Sequence, residues 1–260
     1  SMRLSLFALL DRWLAPAPGP GKADWLSGTE YAHRGLHGAG VPENSLAAFC
    51  GAMARGMGIE CDVQLSSDGR AMVFHDFDLD RLTTERGPVL ARTAEALSGI
   101  ALAGTANVIP TLPQMLAEVA SRVPILIEIK SRRGDFAPIA RLCQAVADAL
   151  EGYAGPHAIM SFDPRVVHWF ARHQPATPRG LVMTEEHDRG LFGVIRRHLF
   201  LWRACPHFMA YDVRDLPSAF AGSQRARGLP VLTWTVRSGE LRERAALHAD
   251  APIAEGDGAA

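Results

Sequence analysis

The sequence contains no apolar segment long enough to cross a membrane. A transmembrane helix needs roughly 18 to 20 apolar residues in a row, and no stretch of this chain reaches that length. The sequence also lacks an excess of charge of either sign, since 27 Lys and Arg residues face 28 Asp and Glu residues, for a net charge of −1. A strongly basic domain is typical of nucleic-acid-binding proteins, so we expect no nucleic-acid partner.

Cysteine is scarce, with four residues in a chain of 260. No two of them have the short spacing of a zinc knuckle or a redox motif. Cys61 lies inside an apolar run, where a free thiol packs as a small hydrophobic group. Because disulfides are rare in reducing compartments, the pattern predicts reduced cysteines and a cytoplasmic protein.

Apolar residues recur at helical spacing near the start of the chain, at Leu4, Phe7, Leu10 and Leu14. This spacing predicts a short amphipathic helix, followed by a linker-like Pro/Gly stretch from Ala15 to Gly21. We expect the helix either to dock on the rest of the protein or to touch a membrane, which gives weak membrane contact through residues 2–18. A secretory signal peptide is the alternative, but Asp11 and Arg12 interrupt the apolar run.

Eight short apolar runs follow, and helix-like segments lie between most of them. The runs are 31–35, 59–65, 71–76, 125–130, 158–162, 180–184, 208–213 and 231–236. Alternating strands and helices are typical of a parallel sheet, and eight strands in this length predict a (β/α)8 barrel of TIM type. Only the turn 66–69 joins the second run to the third, so we expect antiparallel pairing or an irregular corner there. The predicted domains are residues 1–22, the helix and linker, and residues 23–260, the barrel.

Charged residues lie in two runs where a buried strand would ordinarily have none. Side chains alternate between the faces of a strand, so Glu60 and Asp62 share one face, and Glu128 lies in the fourth run. These carboxylates lie toward the carboxyl ends of their strands, where barrel enzymes build their active sites. Converging carboxylates repel one another unless a cation joins them. Oxygen ligands without a thiolate favour Mg²⁺ or Ca²⁺ over zinc, so the three residues are predicted metal ligands.

Two histidines end predicted strands beside these carboxylates. His33 ends the first run and His75 the third. Imidazole titrates near neutral pH, which makes the two histidines candidates for a general acid/base pair. Arg34 is a candidate phosphate donor through its planar guanidinium group, and Lys130 can add positive charge to the same anion. The other histidines lack such neighbours and are interpreted as surface or structural residues.

The motifs around these residues occur in a specific order and spacing. They are His33-Arg34-Gly35, Pro42-Glu43-Asn44, Glu60-x-Asp62, Asp68-Gly69, His75-Asp76 and the segments LIEIK, SFDP and VLTWTVRS. Together they resemble the glycerophosphodiester phosphodiesterase family, over residues 31 to 256. The resemblance implies a (β/α)8 barrel with an irregular connection after its second strand. It also implies metal-dependent hydrolysis of small glycerophosphodiesters to sn-glycerol 3-phosphate and an alcohol.

The resemblance further implies a role for each matching residue. His33 and His75 match the catalytic histidines, and Glu60, Asp62 and Glu128 match the metal ligands. Arg34 and Lys130 match substrate-binding positions. Glu43 and Asn44 match positions at the metal or the mouth of the site, Glu43 as a further candidate ligand and Asn44 as a substrate-binding residue. Trp234 matches an aromatic residue that lines the glycerol pocket, although from the residues alone it is equally well a core tryptophan.

Two departures from the family pattern stand out, and two other functions stay open. The loop between His33-Arg34-Gly35 and Pro42 is about one residue longer, and the final strand-end motif reads APIAEG. A related barrel phosphodiesterase acting on lysophospholipids at a membrane surface is one alternative, which the N-terminal helix favours. A catalytically silent barrel that binds a phosphorylated metabolite is the other, and the complete set of histidines and carboxylates argues against it. The nucleophile is either water or the neighbouring glycerol hydroxyl.

Overall fold

The structure is a computed structural model that describes residues 6–132, 134–186 and 188–259. Leu4 of the predicted amphipathic pattern therefore lies outside the described residues. Nine strands cross this part of the chain: β1 Tyr31–Ala32, β2 Gly58–Leu65, β3 Ala71–Val73, β4 Ile125–Ile129, β5 His157–Ser161, β6 Arg179–Met183, β7 Phe208–Asp212, β8 Val231–Val236 and β9 Ala251–Ala254. The described α-helices are α1 Leu6–Leu14, α2 Leu46–Ala54, α3 Ala94–Ser98, α4 Leu112–Val119, α5 Ala137–Leu150, α6 Pro164–His173, α7 Leu191–Ala204, α8 Ala219–Ala226 and α9 Gly239–His248. Among the described residues, none forms a helix long and apolar enough to span a bilayer.

The strands form one sheet whose hydrogen-bonded order is β1-β9-β8-β7-β6-β5-β4-β2-β3, and β1 also pairs with β2. Eight strands are thus joined in a ring, and β3 lies outside it. The pairings from β6 to β9 are parallel, as are those of β2 with β1 and β4. The predicted (β/α)8 barrel is confirmed, together with its irregular connection after the second strand.

One assignment within that prediction was wrong. The run 71–76 was counted among the eight barrel strands, but β3 pairs antiparallel with β2 outside the ring, with Val63 opposite Val73. The turn from Ser66 to Arg70 is too short for a parallel crossover, so the chain returns directly. The eighth ring strand is β9. The sequence analysis noted APIAEG as a strand-end motif but left it out of the eight strands, because four residues that include Pro252 are a weak signal for a strand.

Helix starts follow the capping residues in the sequence. Ser45 accepts a hydrogen bond from the N–H of Ala48 at the start of α2, and Asp163 accepts one from Arg165 at the start of α6. Thr111 and Gln114 form a reciprocal capping box at the start of α4. These caps satisfy backbone groups that would otherwise lack partners.

The chain folds as two compact units, of which residues 31–157 form one. Every residue of β2 is buried, so this strand is the centre of the unit's core. Nine buried apolar residues from Met72 to Ile109 form a second cluster, which fixes the segment that follows β3. This segment carries His75 and its neighbours, so their positions are set by packing.

Residues 1–30 and 158–260 form the other unit. Within it, α1 is held against α7 by the buried carboxylate of Asp11. That carboxylate accepts hydrogen bonds from Trp202 Nε1 at 2.8 Å and Gln224 Nε2 at 2.7 Å, and it lies 2.8 Å from His198 Nδ1. Burial acts to raise the pKa of Asp11, but the hydrogen bonds outweigh it and the pKa lies below its usual value. The helix is therefore docked through a charged group, and the domain boundary at residue 22 stays a prediction.

Candidate active site

Three acidic side chains converge on the β2–β4 pair. Parallel register sets Asp62 opposite Glu128, and Glu60 lies two residues earlier on the same face of β2. Carboxylate oxygens of the three residues all lie within 4.8 Å of one another. Glu60 and Asp62 are each 1% exposed and Glu128 is 9% exposed. The structure thus brings together the three residues that the sequence pattern predicted as ligands, which are called the acidic cluster below.

Burial and mutual repulsion set the protonation of the acidic cluster. Burial, reinforced by the charges of Asp62 and Glu128, raises the pKa of Glu60 well above its ordinary value. Burial also acts to raise the pKa of Asp62, but Lys130 and Arg34 outweigh it and hold that pKa well below the usual range. The cluster therefore holds one carboxylate that resists ionisation beside one that is firmly ionised.

Two cationic side chains contact the acidic cluster directly. Lys130 Nζ donates to Glu128 Oε1 at 2.7 Å and lies 3.2 Å from Asp62 Oδ1. Arg34 Nε lies 3.2 Å from Asp62 Oδ2. Burial acts to lower the pKa of Lys130, yet the charges of Glu128 and Asp62 raise it above its ordinary value. Both cations are therefore fully charged beside the carboxylates, where they can meet an anionic substrate.

The His-Arg-Gly motif places Arg34 by an unusual backbone conformation. Arg34 has a φ of 55°, and its N–H donates to Glu60 Oε2 at 3.0 Å. Gly35 follows with a φ of 76°, and a Cβ there would lie 2.8 Å from backbone and side-chain atoms of Ala48. Glycine is required at this position because any side chain would clash with α2. The tight turn is what aims the Arg34 N–H at the acidic cluster.

Asn44 holds Asp62 with both ends of its amide group. Asn44 Nδ2 donates to Asp62 Oδ2 at 3.0 Å, and Asn44 Oδ1 accepts from the N–H of Asp62 at 3.2 Å. Asn44 is 1% exposed and has a φ of 56°. These contacts make it a positioning residue for Asp62, and its predicted contact with substrate stays a prediction.

The two histidines flank the same part of the 31–157 unit. His33 follows β1 directly and is 9% exposed. His75 lies two residues beyond β3, and its Nδ1 is 2.6 Å from Asp76 Oδ1. The backbone carbonyl of His75 accepts a hydrogen bond from Gln64 Nε2 at 2.9 Å. Since Asp76 engages Nδ1, the other ring nitrogen, Nε2, is the one left for proton transfer.

Burial lowers the pKa of His75, whereas the charge of Asp62 acts in the opposite direction. A lowered pKa keeps the imidazole neutral at physiological pH, which suits a group that must accept a proton. The carboxylate of Asp76 would stabilise the imidazolium ion once it forms.

Arg81 links the histidine to the arginine motif and was missed by the sequence analysis. Its Nε donates to Asp76 Oδ2 at 2.5 Å, and its two terminal nitrogens donate to Glu43 at 3.0 and 2.7 Å. Glu43 also accepts from Arg34 at 2.8 Å. Spacing along the sequence could not reveal these contacts, because Arg81 ends a 3₁₀ helix of only three residues, Leu79–Arg81, which is too short to give a periodic signal. The only available signal was its position within the family-like segment that follows His75.

Glu43 is engaged by two arginines through the same carboxylate. Burial acts to raise the pKa of Glu43, but hydrogen bonds from Arg81 and the charge of Arg34 lower it. The group is thus a charged link between Arg34 and Arg81. Its predicted role as a further metal ligand stays a prediction, since the acidic cluster comprises the other three carboxylates.

Trp234 lies on β8 in the other unit and is half-buried. Its indole N–H donates to the carbonyl of Ala210 at 3.0 Å, and its ring meets Phe162 edge-on with centroids 5.3 Å apart. The ring is therefore oriented by contacts within its own unit. Its predicted contact with glycerol stays a prediction.

A cavity of about 520 Å³ adjoins Lys130 within the 31–157 unit. Its polar lining includes Gln64, Lys130 and Arg132, and its apolar lining comes from β2, the segment after β3, and α5. The apolar residues are Leu65, Phe77, Pro88, Leu90, Ala91, Pro138, Ile139 and Leu142. Lys130 therefore borders both the acidic cluster and this cavity.

Buried carboxylates, two histidines and two cations on a (β/α)8 barrel are groups from which a catalytic site for an anionic substrate can be built. The model of the Glycerophosphoryl diester phosphodiesterase family matches residues 33–251. The chain belongs to this family, and the predicted enzyme class, a glycerophosphodiester phosphodiesterase, is confirmed.

Similar proteins agree with this family assignment. YhdW of Bacillus subtilis, provisionally named as a glycerophosphodiester phosphodiesterase, is 29% identical over 217 residues, which cover 80% of this chain and 85% of that protein. A glycerophosphodiester phosphodiesterase of Bacillus altitudinis is 39% identical over 113 residues, which cover 41% of this chain and 46% of that protein.

Solved structures share the fold. A phosphodiesterase of Oleispira antarctica, in complex with the product sn-glycerol-3-phosphate, superposes with a TM-score of 0.76 at 21% identity and covers 88% of this chain and 93% of its own. A glycerophosphodiester phosphodiesterase of Thermotoga maritima has a TM-score of 0.70 at 24% identity, over 87% of this chain and 94% of its own. At these identities the likeness establishes the fold.

Proposed function

We propose that this chain hydrolyses glycerophosphodiesters to sn-glycerol 3-phosphate and an alcohol, and that the reaction needs a divalent cation. The observation that carries the proposal is the acidic cluster, in which three buried carboxylates meet two fixed cationic side chains. The family assignment supports the substrate class, and the product bound to the Oleispira antarctica phosphodiesterase supports sn-glycerol 3-phosphate as the product.

The donor set fits a hard cation. Glu60, Asp62 and Glu128 offer only carboxylate oxygens, which are the ligands that Mg²⁺ and Ca²⁺ prefer. Burial raises the pKa of Cys61 on the same strand well above its ordinary value, so no thiolate competes. A cation held here would neutralise phosphate charge and act as a Lewis acid.

The other side chains of the site have separate proposed roles in substrate binding and proton transfer. Arg34 and Lys130 would bind and orient the phosphate, because each is positively charged at the edge of the acidic cluster. His33 and His75 would act as the acid/base pair. One histidine takes the proton of the attacking hydroxyl, and the other protonates the leaving alkoxide. If the attacking group is water, sn-glycerol 3-phosphate forms directly; if it is the neighbouring glycerol hydroxyl, a cyclic phosphate forms and a water molecule then opens it to the same product. Asn44 and Asp76 would hold Asp62 and His75 in place for these roles.

The cation requirement is tested with glycerophosphocholine and glycerophosphoethanolamine as substrates and coupled detection of glycerol 3-phosphate. We expect EDTA treatment to abolish turnover and Mg²⁺, Mn²⁺ or Ca²⁺ to restore it, with the order of restoration identifying the preferred ion. Glu60→Gln should lose this restoration, whereas Glu95→Gln, at an exposed position of α3, should keep it. Full turnover in a chelated, metal-free sample would contradict the proposal.

A second candidate substrate class is lysophospholipids, and the cavity beside Lys130 is the observation that favours it. The largely apolar space beside Lys130 could take the hydrocarbon of a leaving group that carries an acyl chain. Leu90, which is 46% exposed, lines this cavity and tolerates a polar replacement at little cost to the fold. If lysophospholipids are substrates, Leu90→Gln should lower kcat/KM for lysophosphatidylcholine and leave that for glycerophosphocholine unchanged. An equal effect on both substrates would count against this candidate.

We also propose a cytoplasmic location. The four cysteines are free thiols, and Cys61 and Cys143 are buried among apolar residues. Free thiols persist in a reducing compartment. Fractionation of cells that express the protein at native level would test this placement.

A further inference from the structure

Large apolar side chains on the surface concentrate on two helices. Ten such side chains are exposed in the part of the chain that the structure describes, and six of them belong to α1 and α7. The six are Leu9, Trp13, Leu191, Phe192, Ile195 and Leu199, with exposed fractions from 36% to 86%. Single exposed apolar residues are ordinary, but six on two adjoining helices form a patch, which marks an interaction site.

The exposed apolar residues of α7 share one face of the helix. Positions 191, 192, 195 and 199 fall within about 100° of arc at 3.6 residues per turn. The other side of α7 is buried in the unit through Arg197, Leu201 and Ala204. The four exposed apolar residues therefore lie apart from the packed side of α7, and a helix that only covers a core does not need them.

The exposed face of α1 adjoins that of α7 because the two helices are fastened together. Asp11 binds His198 and Trp202 of α7, and the ring of Phe7 stacks on His198 at a centroid distance of 4.2 Å. With Asp11 turned inward, Leu9 and Trp13 point outward at 54% and 78% exposure. The docking contact thus fixes the orientation that exposes these two residues.

Positive charge borders this apolar surface and exposed negative charge is missing from both helices. Arg12, Arg196 and Arg203 are exposed. The only acidic residue within α1 and α7 is Asp11, which is 2% exposed. Arg196 pairs with Asp188, just before α7, whereas the chain as a whole carries a net charge of −1. The excess of positive charge is therefore local to this surface.

We propose that the exposed sides of α1 and α7 form a face that binds the surface of an anionic phospholipid bilayer. Tryptophan, leucine and phenylalanine on one side of a helix, bordered by arginine, are the composition of helices that lie in the membrane interface. The arginines complement the negative charge of anionic headgroups. This goes beyond contact through residues 2–18, because α7 supplies four of the six apolar residues. The face defined by these six residues and three arginines is called the lipid-binding face.

The test is cosedimentation of the full chain with sucrose-loaded vesicles of phosphatidylcholine alone or with 30% phosphatidylglycerol. We expect binding to the anionic vesicles that weakens when NaCl is raised, since arginine attraction is screened by salt. Leu191→Gln combined with Phe192→Gln should lower the partition coefficient by about tenfold or more, because two exposed side chains lose their apolar contact with lipid.

Leu247 provides a matched control. It is a helical leucine of the same unit, on α9, and its exposed fraction of 71% equals that of Leu191. Leu247→Gln should leave the partition coefficient within about twofold of the wild type. The contribution of the arginines is tested by the double variant Arg12→Gln, Arg203→Gln, which should weaken binding to anionic vesicles. Arg86 lies outside the lipid-binding face and its side chain is 85% exposed, so Arg86→Gln should not weaken binding.

Three results would overturn the proposal. One is absence of binding to anionic vesicles at low salt, and another is an equal loss with Leu191→Gln and Leu247→Gln. The third is self-association in analytical ultracentrifugation that Leu191→Gln with Phe192→Gln abolishes, which would assign the face to a second copy of the chain. Melting curves of each variant exclude unfolding as the cause. None of these measurements involves turnover, so the outcome is independent of the proposed hydrolysis.

Discussion

Replacing Glu60 by glutamine should stabilise the metal-free protein and abolish its response to a divalent cation. The substitution removes one negative charge from the acidic cluster and keeps the shape of the side chain. The remaining amide oxygen can still accept the hydrogen bond that the Arg34 N–H donates at 3.0 Å. Any change in stability therefore reports mainly on charge.

The distances give the size of the effect. Carboxylate oxygens of the acidic cluster lie within 4.8 Å of one another, so each like-charged pair repels by ~3.5 kcal/mol at an effective dielectric constant of about 20. Lys130 lies against Asp62 and Glu128, and Arg34 also contacts Asp62, which offsets part of this repulsion. A net gain of about 1–3 kcal/mol remains for Glu60→Gln without metal, and about 2–4 °C of melting temperature accompanies each kcal/mol in a chain of this size.

The gain should depend on pH with a defined sign. Burial and the charges of Asp62 and Glu128 raise the pKa of Glu60 above its unfolded value. Protonated Glu60 carries no charge and does not repel Asp62 or Glu128, so repulsion does not reduce the wild type's free energy of unfolding below about pH 4.5. That free energy falls as the pH rises through the raised pKa and Glu60 ionises. The variant and the wild type should therefore melt together near pH 4.5 and separate toward neutral and alkaline pH.

Melting curves of the chelated proteins from pH 4.5 to 9, with and without Mg²⁺ or Ca²⁺, give the readout. A cation at about 100 times its Kd should stabilise the wild type by about 2.7 kcal/mol and leave Glu60→Gln unchanged. At about 1,000 times its Kd the cation should stabilise the wild type by about 4.1 kcal/mol, which exceeds the variant's lead, so the order of the two melting temperatures should reverse. If Glu60→Gln melts lower than the wild type without metal and keeps its activity, Glu60 is a structural residue and the charge argument is wrong.

Three further predictions follow from single side chains. His33→Ala and His75→Ala should each lower kcat by ~10²–10⁴-fold with little change in cation affinity. One of the two variants should regain kcat on a nitrophenyl ester of glycerol phosphate, because its leaving group needs no proton. An equal loss of kcat on the natural glycerophosphodiester and on the nitrophenyl ester, for both variants, would refute acid/base roles. Arg81→Gln should lower kcat/KM by about tenfold without lowering the melting temperature by more than a few degrees, because it removes the link between two site carboxylates; unchanged kinetics would make that link incidental. Burial lowers the pKa of His207 to about 3. The free energy of unfolding should therefore fall as the pH drops from 6.5 to 3, by up to about 1.4 kcal/mol per pH unit from this residue. His207→Gln should make the free energy of unfolding, measured with urea, less dependent on pH over this window, and an unchanged pH dependence would refute the assignment.

The acidic cluster could be predicted from the sequence because strand geometry is regular. Alternation along β2 gave Glu60 and Asp62 a common face, and the rule that barrel sites form at the carboxyl ends of strands joined Glu128 to them. The register that sets Asp62 opposite Glu128 became known only from the structure. The same regularity explains why the strand–helix alternation sufficed for the fold class.

Irregular segments were beyond the reach of these patterns. Arg81 contacts Asp76 and Glu43 from the end of the three-residue 3₁₀ helix Leu79–Arg81, which is too short for any spacing rule to place it. The sequence analysis did not count β9 among the barrel strands, because four residues that include a proline carry little periodic signal. The tight turn at Arg34 was visible as a motif, but the reason for its glycine emerges only from the approach of Ala48.

The acidic cluster and the side chains bonded to it, called the charged network here, occupy one part of the chain, and this affects how the protein can diverge. All of the predicted site residues except Trp234 lie between residues 33 and 130, inside one compact unit. The residues of this network contact one another through bonds that stay within that unit. Substitutions within residues 158–260 therefore remove none of these four hydrogen bonds. Surface properties of residues 158–260, such as the exposed apolar and basic side chains of α7, can therefore change among related proteins that keep the same site residues.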